Sequence, residues 1–477
     1  MNHSFHRFSY LLALISIIFN SCGFFDSKKG EDLNTSDENQ EEVFLFKGKN
    51  SEDSQLMHSI YLGKDSMAKW ELPVEIDTMS TRQWAYVKDK TSTLSILADS
   101  INLETNQGLN DLERIIGFQE IYFEPQILTN LDSFKAELFG EVLEFNVDNE
   151  DSIMGSSQFW TGSLNKPNSS FSIIKSDSIY RASFYYDGDK YELKKNTQGY
   201  IIQRIDQNLF EDEAEPFKKI EIDEENNQDQ LLFSDTNEFI DVLICYSKKA
   251  RERSGGISYM NTEIIDAVVE TNLSYANSQV KHRLRIAGTM ELDYEESGVS
   301  ETDVAWIHGN ENIQAERDNL KADIVVFIVQ NLNYCGQAYA IQENISVKFA
   351  PYAYCVVKRD CSTGYYSFGH EIGHLMGARH DCAKDDEKKP FDYSHGLVFC
   401  NEEESWRTVM GYRSSDCFCT KRHCRIPYWS NPDVTYNSNK MGKIEIDITC
   451  KSNNAKTLNN SSLVIANFRV KNQNIDL

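Results

Sequence analysis

Residues 370–381 read His-Glu-Ile-Gly-His-Leu-Met-Gly-Ala-Arg-His-Asp, and this run constrains the fold more than any other part of the chain. His370 and His374 are four apart. On a helix that is about 40° of rotation and ~6 Å of rise, so both imidazoles face one way and can share one ion. His380 comes ten residues after His370. A continuing helix would carry it ~15 Å along the axis, beyond reach of the same ion. The chain must therefore leave the helix and turn back between His374 and His380. Gly377 stands where that turn is needed, because glycine adopts positive φ without a steric penalty. Three neutral imidazoles with one position left open are the donor set of a catalytic zinc, which makes a nucleophile from water at neutral pH. Glu371 projects beside such an ion without needing to ligate it, and can carry a proton from water to a leaving amine. Reading the same residues as surface histidines on a helix and loop requires the glycine and all the ligand-type positions to coincide by accident.

Composition narrows the remaining classes. Lys+Arg is 48 and Asp+Glu is 74 in 477 residues, a net charge of −26. Such a chain is repelled by phosphate backbones, so no nucleic-acid partner is expected. With 40% hydrophobic residues, 23 Tyr and 26 Phe, there is material for a sizeable core. No apolar run reaches the ~18–20 residues that span a bilayer.

The N-terminus reads as an export signal. A short apolar run, Tyr10 to Phe19, follows a mildly basic start and ends Phe19-Asn20-Ser21-Cys22. It resembles a bacterial lipoprotein signal, with residues 1–21 removed and Cys22 lipidated. Ordinary cleavage nearby, giving a soluble secreted product, is the alternative. The only membrane contact expected is through this anchor, at the cell envelope. Of 11 Cys, the ten beyond Cys22 all lie between Cys245 and Cys450. Export permits disulfides. That asymmetry divides the chain into an acidic tether (22–58), a cysteine-free β-rich region (59–210), a charged connector (211–235) and a cysteine-containing domain (236–470).

Local patterns supply elements. Asp187-Gly188 between Ala182–Tyr186 and Tyr191–Leu193 is a hairpin signal. The connector is charged and aperiodic, which predicts exposure and a site for proteolytic processing, or an ordinary linker that is never cut. Phe239–Cys245 and Ile324–Val329 read as buried strands, Leu284–Leu292 as a strand, and Ile313–Leu320 as a short helix. Thr262–Ser278 is helical, with Ile264, Ile265, Val268, Val269, Leu273 and Ala276 on one face. The alternation indicates an α/β domain with a mainly parallel sheet.

With those residues in view, the motif resembles that of the metzincin zinc metalloendopeptidases. Asp381, directly after the third His, is similar to the reprolysin or adamalysin branch. Thr408-Val409-Met410-Gly411-Tyr412 resembles the Met-turn, with Met410 as a support beneath the zinc site. Tyr412 occupies a spacing at which other branches use a Tyr near the metal, so an oxyanion helper and a packed ring both stay open. Ala322–Val326 and Tyr334-Cys335-Gly336-Gln337-Ala338-Tyr339 look like the family's strand and substrate-facing edge strand, which binds peptide as an added strand. The resemblance covers residues 236–470. It implies an α/β metzincin domain with a mixed, mostly parallel sheet and a zinc-site helix, one catalytic Zn2+, and hydrolysis of internal peptide bonds in protein or peptide substrates. It also implies a Cys335–Cys361 bridge and makes residues 59–210 prodomain-like, the arrangement of a zymogen. No Cys follows Cys22 in that half, so latency by a carboxylate or by steric blocking is expected rather than a thiol switch. Cys245 and Cys355 are either buried thiols or partners of each other. Cys417, Cys419, His423 and Cys424 are either disulfide staples or a second metal cluster. A non-catalytic surface binding protein that retains a structural zinc site is the rival class, and it predicts a lost base or ligand.

Overall fold

A computed structural model describes residues 46–48, 114–128, 132–196, 199–217, 239–341, 343–413, 424–445 and 449–469. The export signal, Cys22 and Cys417–His423 lie outside the described residues. Among those described, no helix is long and apolar enough to cross a membrane.

The N-terminal region is one antiparallel sheet. Its strands are β1 (Phe46–Gly48), β2 (Ile115–Phe123), β3 (Ser133–Leu138), β4 (Glu141–Ile153), β5 (Ser157–Leu164), β6 (Ser170–Ser176), β7 (Ile179–Tyr186), β8 (Asp189–Asn196) and β9 (Gly199–Ile205). Their spatial order is β1-β2-β9-β8-β7-β6-β5-β4-β3. The predicted hairpin is present: Asp187 and Gly188 join β7 to β8 at φ values of 52° and 79°. Two positive φ values in succession match the twist of the flanking strands. One face buries stacked and edge-on rings of Phe134, Phe145, Phe171 and Phe184.

The C-terminal region is built on a five-stranded sheet of β10 (Phe239–Ser247), β11 (Arg283–Leu292), β12 (Ile324–Val329), β13 (Gly336–Ala338) and β14 (Tyr354–Lys358), in the order β11-β10-β12-β14-β13. All pairings are parallel except β13 with β14. Besides a single helical turn at Arg359–Ser362, four helices precede the motif: α1 (Lys248–Ser254), α2 (Ile257–Asn277), α3 (Ser300–Gly309) and α4 (Glu311–Leu320). The motif helix is α5 (Ser367–Leu375), and α6 (Asn454–Ile465) lies near the C-terminus. Helices α2 and α5 cover one face of the sheet, and α3 and α4 cover the other. Both faces being covered explains why β12 reads Ile-Val-Val-Phe-Ile-Val with no polar alternation.

Two expectations change on contact with the structure. Helix α2 does not have one apolar face. Ile264 and Val268 pack into the C-terminal core, while Ile265 and Val269 meet Ile174 of the N-terminal sheet. The acidic residues between them are buried too. Asp266 accepts from Ser172, Ser183 and Arg181 at 2.8–2.9 Å, and Glu270 pairs with Lys190. The connector, predicted to be exposed, has Glu213 and Ala214 buried. In its described part, residues 211–217, carboxylates are matched by cations. Glu211 meets Arg114 and Lys358, Asp212 meets Arg413, and Glu213 meets Arg425.

Disulfides join Cys335 to Cys361, as the resemblance implied, and Cys382 to Cys450. Cys245 and Cys355 are buried free thiols that belong to cores on opposite faces of the sheet, so they do not pair.

Candidate active site

Helix α5 is rigidly held because its small residues let neighbours come close. A Cβ on Gly373 would fall 2.7 Å from the Trp429 ring and 3.1 Å from Met410 Sδ. Met410 is fully buried and thus packs directly beneath the motif helix. After Leu375 the chain turns at Gly377, φ 90°, which is the left-handed conformation the spacing demanded. The backbone then runs back beside Ser394 and Gly396, and this brings His380 to the helix.

The Nε2 atoms of the three histidines converge. His380 Nε2 lies 3.1 Å from His370 Nε2 and 3.0 Å from His374 Nε2. Carbonyl oxygens fix the tautomers: His370 Nδ1 donates to Val409 O at 2.9 Å, and His374 Nδ1 to Ala378 O at 3.0 Å. Their Nε2 atoms are therefore lone-pair donors, oriented as metal-binding imidazoles are. Burial holds all three neutral, with His370 pushed down to about 4, and His374 and His380 well below their ordinary value. Buried, neutral and convergent nitrogens fit a shared divalent cation.

Glu371 is fully buried, and neither carboxylate oxygen has a hydrogen-bond partner among the described residues. Burial, reinforced by Glu213, raises its proton affinity well above that of an ordinary carboxylate. Gly336 approaches it so closely that a Cβ there would lie 2.5 Å from Oε1. The predicted edge strand thus borders the motif helix, and its glycine is what permits the approach.

That edge is occupied by the chain itself. Ala214 N donates to Gly336 O at 2.9 Å, Phe217 N to Ala338 O at 2.9 Å, and Ala340 N to Phe217 O at 3.2 Å. Gln337 Nε2 donates to Glu215 O at 2.9 Å, and the rings of Phe217 and Tyr339 lie 5.2 Å apart. Segment 212–217 is therefore an added strand, parallel to β13 at the Phe217–Tyr339 bridge.

Asp381 and Tyr412 are placed as a pair. Asp381 Oδ2 accepts from Tyr412 N at 2.8 Å, which ties the third-histidine loop to the turn that carries Met410. The Tyr412 ring stands 4.3 Å from that of His380, and its hydroxyl donates to Glu213 O at 2.5 Å. Sequence reasoning missed several neighbours. His395 is buried, and its Nδ1 donates to His380 O at 3.1 Å. Arg407 and Arg425 are both fully buried beside Tyr365. Nothing in a lone arginine announces burial, and Arg425 has no periodic pattern around it that would.

Comparison with known proteins agrees with this geometry. Residues 236–430 match the family model described as Reprolysin_5, metallo-peptidase family M12. A peptidyl-Asp metalloendopeptidase of Stenotrophomonas maltophilia is 33% identical over 314 residues, 64% of this chain and 71% of that protein. The chain belongs to the M12 metallopeptidases. A second relative, a peptidyl-Asp metalloendopeptidase of Xanthomonas campestris pv. campestris, is 29% identical over 357 residues, 70% of this chain and 81% of that protein. The crystal structure of metalloproteinase-II from Bacteroides fragilis aligns at 12% identity and a TM-score of 0.39, covering 65% of this chain and 92% of that one, a likeness too loose to carry weight. As an M12 metallopeptidase of metzincin type, the protein is a zinc metalloendopeptidase, and the binding-protein reading gives way to it.

Proposed function

We propose that this M12 peptidase is exported, holds one catalytic zinc through His370, His374 and His380, and cleaves peptide bonds beside aspartate. Its N-terminal sheet and segment 212–217 act as an inhibitory prosegment. The observation that carries the reading is the convergence of the three Nε2 atoms beside a buried carboxylate and a peptide-binding sheet edge. The aspartate preference rests on the relatives, which are named for it. The export signal and lipidation of Cys22 rest on the sequence alone.

A zinc ion in this donor set supplies Lewis acidity toward water and the scissile carbonyl. The protein's residues do the rest. The open side of β13 aligns the substrate backbone by adding it as a strand. Glu371, whose burial raises its proton affinity, acts as the carboxylate: it accepts a proton from the attacking water and then, as the acid so formed, returns it to the leaving amine. The Tyr412 hydroxyl, freed from Glu213 O once the segment departs, stands beside the His380 ring as a donor for developing negative charge. Latency follows from occupancy, since the segment covers the very backbone groups that a substrate needs.

The test is cleavage of a peptide library by the full chain, before and after limited proteolysis between residues 218 and 238. Glu371→Ala and a chelated sample are run alongside. Cleavage before aspartate that appears on nicking and vanishes in both controls is expected, with kcat down by about 10³ or more in Glu371→Ala. Cleavage that survives chelation would sink the zinc assignment.

A further inference from the structure

Beside the motif helix lies a buried cationic pocket whose described anions, Glu213 on Arg425 and Asp212 on the Tyr365 hydroxyl, come from the connector. Its walls belong to the C-terminal region. The strands β15 (Val398–Cys400), β16 (Ser405–Arg407) and β17 (Cys424–Arg425) form a small sheet in which Arg407 and Arg425 are register partners. Both side chains are fully buried. Their guanidinium carbons stand 5.3 Å and 4.2 Å from the Tyr365 ring centroid. Tyr365 lies two residues before α5, and Ser367 opens that helix. The pocket is therefore built onto the same turn that carries His370.

Glu213 enters this pocket. Both of its carboxylate oxygens meet Arg425, with Nη2 to Oε2 at 2.9 Å, and Ser367 Oγ donates to Oε1 at 2.7 Å. Burial alone would raise the carboxyl's pKa, but the Arg425 guanidinium bonded to both of its oxygens outweighs it and keeps the group ionised. Arg407 donates from Nη2 to Tyr365 Oη at 3.1 Å, while its Nε and Nη1 have no hydrogen-bond partner among the described residues. The backbone around Glu213 lies at the catalytic centre. Its own carbonyl accepts from Tyr412, and Ala214 N donates to Gly336 O beside Glu371.

A two-pronged arginine–carboxylate pair is geometrically selective, and a buried guanidinium that loses its anion is left with unmatched charge. Once segment 212–217 leaves, the pocket presents two buried cations next to the position where a substrate backbone is held. A neutral side chain cannot match them.

We propose that Arg425, assisted by Ser367 and Arg407, is the subsite that reads the acidic side chain of the substrate next to the scissile bond. Glu213 is this chain's own occupant of that subsite. The inference rests on the proposed aspartate-directed activity and gives it a physical cause. It also ties latency to specificity, because the inhibitory segment binds through the feature that the enzyme selects in its substrates.

The test uses the full chain and matched peptides with Asp or Asn at the position after the scissile bond. Glu213→Gln is expected to raise cleavage of the Asp peptide by about tenfold or more over the parent chain, as the charge pair that seats the segment is lost. In that background the Asp peptide is expected to exceed the Asn peptide by about 100-fold in kcat/KM, and Arg425→Gln to cut the ratio to a few-fold. Arg425→Lys, which keeps the charge but loses the fork, is expected to fall between and serves if Arg425→Gln does not fold. An active Glu213→Gln chain with no preference for Asp overturns the aspartate-directed reading and this inference with it. A preference that persists at full size in folded Arg425→Gln or Arg425→Lys overturns the subsite alone. No gain from Glu213→Gln, with the preference seen only after nicking, removes Glu213 as its occupant.

Discussion

The two sheets of this protein bury their faces by different means. The five-stranded sheet is covered by helices on both sides, and its central strands are apolar throughout. The nine-stranded sheet has one aromatic face, but the other carries Ser172, Arg181, Ser183, Lys190 and Glu192, all buried, the first four bonded to carboxylates of α2. In isolation that second face would be an ordinary solvated surface. In the folded chain it is a polar seam whose charges are matched by Asp266 and Glu270 on the helix that also supports the active site. A seam of matched ions is sensitive to the loss of one partner. That suits the removable inhibitory region proposed above.

The sharpest way to break the contrast is to unmatch the seam. Arg181→Met leaves Asp266 buried with two serine donors only, and should cost about 3–5 kcal/mol in the full chain by denaturant unfolding. An unchanged midpoint would mean the seam contributes no binding energy. The catalytic half alone relies on cross-links. Cys382→Ser, which opens the 382–450 bridge, should lower stability by about 2–4 kcal/mol without altering the unfolding of the N-terminal sheet. A smaller effect comes from pH. Burial would raise Glu192, but Lys194, Arg181 and Lys190 outweigh it and bring it down to about 2. Its stabilisation is complete above the ordinary carboxylate value of 4.5 and is lost as pH falls from there toward about 2. A pH series of thermal midpoints should therefore drop over that window in the parent chain and drop less in Glu192→Gln. Smallest is Gly188→Ala at φ 79°, expected to cost about 1 kcal/mol or slightly more and only in the N-terminal sheet.

Much of the catalytic half was legible. The strand Ile324–Val329 has the bounds that its apolar run predicted, and the run from His370 to Asp381 forced a helix, a turn at Gly377 and a returning third histidine. These are local consequences of side-chain periodicity and backbone sterics, so they can be read without knowing any partner. The misreadings share one cause. Helix α2 reads as one-faced because its apolar residues alone carry the periodicity, while Asp266 and Glu270 between them are buried too, and residues 211–217 read as exposed because they are charged. In both, the charge is buried against a counter-ion more than 80 residues away in sequence or nearly so, as with Arg181–Asp266, Lys190–Glu270 and Glu213–Arg425.

The sequence alone determined the chemistry: three imidazoles, a carboxylate, a glycine turn and a supporting methionine, at spacings that only one local geometry satisfies. Tertiary structure decided what reaches that chemistry. Whether an arginine is a solvated surface group or the floor of a pocket depends on which distant segment supplies its anion, and charge complementarity across a fold leaves no periodic trace in the chain. Arg425 acquires its meaning only where Glu213 meets it.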